Sequence, residues 1–337
     1  CGGLVDDAEH NKIRGNLKRR AYLLYFIAKA KGIYRECARL LRKYDLTAFD
    51  GVTFYSFWLY DVALAALWLS EDCKNPVKKT ISRAHRYDLY PEAGSAHYLP
   101  LRRYLLEHLD AVYPCSQNGT DYLSEHYPPY ARKVHTAYLG TQDFGMGPEN
   151  KGDTVEIVSC CHIAPVKRVE LLAQSLALLS EEKKKLHWTH FGGGDSLDDL
   201  KAYAAEHLQF MKTDFPGTVK NEDLLAYYRT HPVDWFVNTS SSEGLPVSIM
   251  EACSFGIPIV ATDVGGTSEL VREDETGHLL KADFTPEELA ELFRQLFRQK
   301  KEKHDILRQN CRRVWQEEFC AEVNFDRFAE AIRPQAE

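Results

Sequence analysis

No stretch of the 337-residue sequence reaches the roughly 18 consecutive apolar residues that a membrane-spanning helix needs, so a segment of that kind is excluded. No C-x-x-C pair or zinc-like spacing occurs among the nine cysteines. An odd, scattered set of this kind points to a reducing compartment rather than a disulfide framework. The adjacent Cys160-Cys161 pair lies in an apolar run and reads as core, not as a redox couple. No internal repeat or low-complexity segment is present, and no secretory signal is read, which makes the cytoplasm the expected location. An excess of positive charge is also missing. The net charge of -7 argues against a general nucleic-acid binder. What remains is a soluble-type composition, 44% hydrophobic, long enough to build two domains with separate cores.

Charge is nonetheless distributed unevenly. Residues 12–43 hold eleven Lys or Arg (Lys12, Arg14, Lys18, Arg19, Arg20, Lys29, Lys31, Arg35, Arg39, Arg42, Lys43) against the single acid Glu36. That is +10 in a chain of -7, which leaves about -17 for the rest. Leu17, Tyr22, Leu23, Leu24, Tyr25, Phe26 and Ile27 run between the charges, as do Tyr34, Leu40 and Leu41. The pattern predicts one or two basic helices with apolar faces. Such helices either lie on an anionic membrane surface or pack on their own domain with the charges solvated; surface contact, at the inner face of a membrane, is the expectation.

Beyond this segment, strand-like and helix-like patterns alternate. Strands are expected at 54–59, 78–82, 110–116 and 133–140, with helices at 62–69, at 99–109 and near Tyr122. Residues 140–153 are rich in Gly, Asp, Asn and Pro and form the best linker, so the domain boundary is placed there. The second half alternates more clearly. Strands are expected at 155–161, 186–191, near Phe210, at 233–237 and at 257–262, with helices between them and a helical tail over 306–332. Alternation of this kind implies parallel sheets covered by helices, an α/β architecture.

One turn stands out: Ser240-Ser241-Ser242-Glu243-Gly244-Leu245-Pro246-Val247-Ser248-Ile249-Met250-Glu251. It follows the apolar run Val233–Val237, Pro246 suits the first turn of a helix, and Gly256 suits its end. A helix N-terminus at the carboxyl end of a parallel strand is a ready anion site, and Gly244 lets a ligand approach the backbone. Glu251 stands among apolar helix neighbours, where a carboxylate needs donors; a ribose diol would supply two, and nearby backbone would serve as well.

Glu243 and Glu251, separated by seven residues inside Ser-Glu-Gly-Leu-Pro, resemble the E-x(7)-E motif of the retaining glycosyltransferases of family four. Gly256–Glu269 resembles that family's "G-x-P-V-V-x-T-x-x-G-G-x-x-E" segment and Thr276–Leu280 its "T-G-x-L" turn, in the same order. The resemblance covers most of 154–300. It implies a GT-B fold, two Rossmann-like doubly wound domains facing a cleft. Residues 1–145 would be the acceptor-side domain, 146–315 the nucleotide-sugar-binding domain, and 316–337 a C-terminal helix returning to the first domain. It also implies that the first domain is incomplete here, with Cys1-Gly2-Gly3 as a remnant of an upstream element.

By the same resemblance Glu251 would hold the ribose and Glu243 would lie beside the donor sugar. The N–H groups of Gly244 and Leu245 would face sugar and phosphate, with Pro246 and Val247 opening the helix behind them. Lys167 matches the lysine that neutralises the diphosphate. Five residues before it the family usually has arginine where this chain has His162, so Arg168 would share the load. Val219, in Gly217-Thr218-Val219, would pack on the base. His85 would face the donor sugar from the first domain, with Asp88 as a second polar contact. No D-x-D pair stands in a suitable loop, so neither a metal nor a cofactor is expected. The implied activity is retaining hexosyl transfer from a nucleotide-sugar to a glycan or lipid-linked acceptor in cell-surface polysaccharide or lipopolysaccharide synthesis. A sugar-nucleotide epimerase or phosphorylase of the same fold, and a non-catalytic sugar-nucleotide-binding protein, remain alternatives.

Overall fold

The structure is a computed structural model that describes residues 13–334, Ser95 excepted; Lys12 and the Cys1-Gly2-Gly3 reading lie outside the described residues. The chain divides into two compact units. One comprises the residues through Tyr138 together with those from Phe325 onward; the other is Leu139–Asn324.

In the first unit the basic segment forms one helix, α1 (Leu17–Leu41), capped by the Asn16 side chain, which accepts from the Arg19 N–H at 3.0 Å. Strand β1 (Val52–Ser56) follows, then α2 (Asp61–Asp72), β2 (Lys78–Ala84), the short α3 (Arg86–Leu89), α4 (Arg102–His108), β3 (Ala111–Pro114) and α5 (Gln117–His126). The three strands are parallel in the order β1-β2-β3. Leu23, Phe26 and Ala30 recur at helical spacing along α1 and are buried against Leu59, Ala63, Leu64 and Leu67. Lys29 reaches across to the buried Asp61 at 2.9 Å. The strand expected over 133–140 does not form. Val134 makes one bridge to Val112, and the next residues run extended beside β3, with His135 N donating to Val112 O and Ala137 N to Pro114 O, both at 2.9 Å.

The second unit is built on β4 (Thr154–Cys160), α6 (Val169–Ala177), β5 (Lys185–Phe191), α7 (Leu197–His207), β6 (Lys212–Gly217) and α8 (Asn221–Thr230). It continues with β7 (Trp235–Asn238), α9 (Val247–Ser254), β8 (Ile259–Thr262), α10 (Thr267–Leu270), β9 (Gly277–Leu280), α11 (Pro286–Phe297) and α12 (Lys301–Glu318). Its six strands are all parallel, ordered β6-β5-β4-β7-β8-β9. All four residues of β7 and all four of β8 are buried, as a sheet covered on both faces requires. Ile157, Trp188, Trp235, Val237 and Val260 pack beneath Leu172 and Leu176 of α6 and Leu289 and Phe293 of α11. Three expectations are corrected here. The strand near Phe210 begins at Lys212, with Phe210 in the preceding turn; Gly277–Leu280 is an edge strand, not a turn; and Pro246 is the N-cap of α9, not its first turn. Gly256 follows the helix end at φ +67°, the left-handed stop its sequence position suggests.

A polar network crosses one face of this sheet. His187 on β5 lies 2.6 Å from Glu156 of β4 and 2.8 Å from Asp214 of β6. The Glu156 hydrogen bond, opposed by burial and helped by Asp214, holds its pKa above the ordinary value.

The last helix, α13 (Ala321–Ala331), starts in the second unit and enters the first at Phe325. There Phe328 packs on Ile81, Ala111 and Tyr113, and the Arg83 guanidinium stands 3.9 Å over its ring. Thr53 Oγ1 donates to Ile332 O at 2.7 Å.

Candidate functional site

From β4 the second unit winds outward through β5 and β6, and from β7 it winds the other way through β8 and β9. Strands β4 and β7 are adjacent, so the order reverses between them. In open parallel sheets the crevice beyond the carboxyl ends at such a reversal is where ligands bind. Two loops leave the sheet at this point, 161–168 after β4 and 239–246 after β7.

The sequence stitches the two together. Asn238 ends β7 and folds its Oδ1 onto Ser240 N at 3.0 Å, an Asx turn that curls the loop back. Ser241 N donates to Val166 O at 2.8 Å, and the Thr239 hydroxyl lies 3.0 Å from the carbonyls of both Lys167 and Arg168. Pinned in this way, Lys167 meets Glu243 across 76 residues of chain, Nζ to Oε1 at 2.6 Å, and Asn238 Nδ2 donates to the same oxygen at 3.3 Å. The Glu243 side chain is 10% exposed and that of Lys167 26%. A carboxylate so poorly hydrated needs its partners, and a charged bond here is stronger than one in water.

Arg168 was expected to add phosphate charge beside Lys167. In the structure its donors point elsewhere. Nε donates to Thr239 O at 2.8 Å, Nη1 to Ala282 O at 2.6 Å and Nη2 to Ser240 O at 3.2 Å, while the guanidinium stands 5.2 Å from the Phe284 ring. Its backbone is left-handed at φ +48°. Arg168 thus clamps the loop that presents Lys167.

Glycine shapes the floor. Gly265 has φ +58°, and a Cβ there would lie 2.0 Å from the Glu243 carbonyl oxygen. Next to it, Gly266 N donates to Gly244 O at 2.7 Å. The Gly265-Gly266 turn therefore braces the Glu243-Gly244 backbone as only a residue without a side chain can. On the β5 side, a Cβ on Gly192 would meet Cys161 O at 1.8 Å, so that turn packs flush on the end of β4.

Helix α9 begins immediately after Leu245 and Pro246. No side chain caps it, so the first N–H groups carry their partial positive charge toward the crevice end unshielded. One turn along, Glu251 accepts from Asn221 Nδ2 at 2.8 Å, and burial, opposed by that bond, pushes its carboxyl above the usual range. Asn221 opens α8 two residues after the half-buried Val219, which brings the Gly217-Thr218-Val219 segment to the Glu251 side. His162 is exposed on the loop after β4. Cys160 and Cys161 border the crevice, but burial pushes their thiols up to about 12 and about 11, so neither is a thiolate nucleophile.

His85 belongs to the first unit. Its ring lies 4.5 Å from both the Phe57 and the Trp58 rings, and burial, with Arg83 nearby, lowers its pKa to about 4. Asp88 is fully buried. It accepts from the backbone N–H groups of His85 and Leu59, each at 2.5 Å, and so fixes the β1 and β2 loops instead of meeting a ligand. Reading the sequence missed Asn238, Asn221 and the brace made by Gly265. The small polar cluster after β7 and the Gly-Gly pair were the only signals of them.

A profile of the family described as "Glycosyl transferases group 1" matches residues 146–314. The O-antigen biosynthesis glycosyltransferase WbnH of Escherichia coli is 36% identical over 130 residues, 35% of this chain and 34% of that protein. The putative colanic acid biosynthesis glycosyltransferase WcaL of Escherichia coli K12 is 23% identical over 203 residues, 58% of this chain and 50% of that protein. The matches thus span about a third to a half of these relatives' length. Among solved structures, Anabaena HepE in complex with UDP-glucose aligns with a TM-score of 0.68 at 17% identity, covering 88% of this chain and 81% of that one. The apo form of the lipopolysaccharide outer core galactosyltransferase WaaB aligns with a TM-score of 0.69 at 16% identity, covering 90% and 80%. These likenesses establish the GT-B fold that the motifs implied.

Proposed function

The chain belongs to the group 1 glycosyl transferases, and from that premise we propose that it moves a hexose from a nucleotide-sugar to a glycan or lipid-linked acceptor in cell-surface polysaccharide synthesis. The observation that carries this reading is the Lys167–Glu243 pair, held at 2.6 Å beside an uncapped helix N-terminus at the sheet's reversal point. HepE, which shares the fold, is described with UDP-glucose, and a UDP-sugar is the donor favoured here.

The residues divide the work. Breaking a sugar–diphosphate bond builds positive charge on the sugar ring and negative charge on the leaving phosphate. Lys167 and the first N–H groups of α9, with Gly244 and Leu245 before them, meet the leaving charge from fixed positions. As Lys167 turns to the diphosphate, Glu243 is freed to position the sugar. Glu251, already partnered by Asn221, gains the ribose hydroxyls it needs, and Val219 packs on the base. The reaction is proposed to retain anomeric configuration, with the leaving phosphate taking the acceptor's proton, and to need no metal because Lys167 and the helix N–H groups serve the diphosphate. Incubating the full chain with labelled UDP-sugars tests this. Sugar release or transfer is expected, and Glu243→Ala and Lys167→Ala should each lower it at least about a hundredfold, as loss of one preorganised charge-stabilising group does. Variants with undiminished transfer would remove both residues from the site.

The outer face of α1 extends the reading to a membrane surface. Leu17, Leu24 and Tyr25 are 80%, 69% and 62% exposed, and Arg20, Lys31 and Arg35 are exposed on the same side, opposite the buried stripe. Apolar side chains between cations suit an anionic bilayer, at about 1 kcal/mol per basic residue near the surface. In liposome flotation, anionic vesicles should carry the protein and neutral ones should not; equal binding would contradict this.

A further inference from the structure

A cavity of about 300 Å³ opens at the amino end of the second unit's sheet, between the starts of β4 and β7 and the helices α11 and α12. That is the small end of the range for ligand pockets. Arg308 of α12 lines it and is 3% exposed. Its Nη2 donates to Gly147 O at 2.7 Å, but Nε has no acceptor, and no carboxylate pairs with the guanidinium among the described residues. Burial lowers the Arg308 pKa, and Asp234, Glu149 and Asp305 on the same cavity wall oppose the shift. Asp234, just before β7, has the opposite need. Its Oδ2 accepts from Asn150 Nδ2 at 2.6 Å and from Glu156 N at 2.8 Å, yet burial still holds its carboxyl above the ordinary value. Gln299, between α11 and α12, buries an Oε1 that no donor reaches among the described residues. Water fills a cavity this polar, but a guanidinium so deeply buried without an ion-pair partner calls for a charged one.

We propose that this cavity binds a free α-amino acid, with its carboxylate on Arg308, its ammonium on Asp234 and Gln299 Oε1, and an apolar side chain against Phe297. Each part excludes a rival. An inorganic anion meets Arg308 but brings its charge to Asp234 and Asp305 as well. A diamine satisfies the carboxylates and Gln299 but sets a cation beside a buried guanidinium. A neutral sugar supplies hydrogen bonds and leaves both charges uncompensated. An α-amino acid carries a three-acceptor-free ammonium and a carboxylate two bonds apart, so one small molecule meets both signs at once. Leu296 and Phe297, at the end of α11, give the wall its apolar part. The cavity lies at the opposite ends of β4 and β7 from the loops that carry Lys167 and Glu243, and it does not rest on the transferase reading.

The test is isothermal titration of the full chain with L-leucine and L-phenylalanine, and with acetate, phosphate, putrescine and glucose as controls that each lack one feature. At least one of the two amino acids should bind, and every control should bind at least about tenfold more weakly, because each leaves a charged hydrogen bond unmade. Asp234→Asn and Arg308→Met remove one charge each at similar volume and should weaken amino-acid binding about tenfold or more. Gln299→Leu removes only the unpartnered acceptor and should weaken binding severalfold. It breaks no side-chain hydrogen bond among the described residues, so it decides the matter even where a charge variant does not fold. Circular dichroism identifies the folded variants. Binding of neither amino acid would overturn the proposal. So would acetate, phosphate, putrescine or glucose binding as tightly as the amino acid, or amino-acid binding unchanged in the folded variants.

Discussion

Gly265→Ala separates the brace beneath Glu243 from the general cost of a left-handed residue. Gly265 has φ +58°, and the added Cβ would stand 2.0 Å from the Glu243 carbonyl oxygen. Ordinary contact begins near 3.4 Å, so the Glu243 backbone must retreat by more than an ångström. The Lys167–Glu243 bond is only 2.6 Å long and does not survive such a shift unchanged. Displacement by about 1 Å at a reacting site costs on the order of a hundredfold in rate. Gly145 supplies the control. It also has positive φ, +82°, yet a Cβ there meets nothing within 4 Å. Gly145→Ala therefore carries backbone strain alone, about 1–2 kcal/mol. For a unit of this size that is a drop in Tm of about 2–8 °C. We expect Gly145→Ala to melt lower with transfer intact, and Gly265→Ala to melt lower still and lose about a hundredfold in kcat/KM. The assays are thermal melting and donor turnover on the two variants in parallel. Wild-type turnover by Gly265→Ala, or an equal loss in both, would refute the reasoning.

Other expectations follow from single contacts. Arg168→Lys loses the planar fork that reaches three carbonyls, and it should destabilise the protein by about 1.5–3 kcal/mol in denaturant unfolding; unchanged stability would show the clamp to be idle. Glu251→Gln removes a carboxylate whose ionisation burial opposes, so the free protein should melt higher while nucleotide affinity falls about tenfold or more, the cost of a charged hydrogen bond. A lower melting temperature would mean the charge is stabilising. His187 has a folded pKa raised above its unfolded value by Glu156, so its stabilisation is complete below about pH 6.5 and is lost as pH rises through the folded value. The Tm gap between wild type and His187→Asn should shrink over that window, and a flat or widening gap would contradict the assignment.

The elements around the site were legible where the signal is local. The run before Glu243 is a buried strand because Trp235, Phe236 and Val237 are apolar in succession, and Gly256 stops α9 because the chain there must turn left-handed. The bounds of α7 (Leu197–His207) and of α8 (Asn221–Thr230) coincide with their periodic patterns. What sequence could not place is what the fold brings together from far away. Lys167 and Arg168 carry identical charge side by side, and only the carbonyls of Thr239, Ser240 and Ala282 decide that Arg168 is the one consumed as a clamp. Asp88 reads as a polar loop residue until its burial under α4 and the β1 loop is known. The segment 133–140 has strand-like composition, yet it finds only one bridging partner. Local chemistry thus located the turn, and long-range hydrogen bonds determined what each residue in it is free to do.

The central claim is that the crevice between β4 and β7 binds the diphosphate of a nucleotide-sugar through Lys167. A thermal-shift panel of UDP-, GDP- and ADP-sugars on wild type and Lys167→Ala tests it most directly, because a ligand present at 100 times its Kd adds about 2.7 kcal/mol to the native state. One nucleotide series should raise the melting temperature of wild type, and Lys167→Ala should lose most of that rise. A panel without any shift, or a shift of equal size in Lys167→Ala, would contradict it.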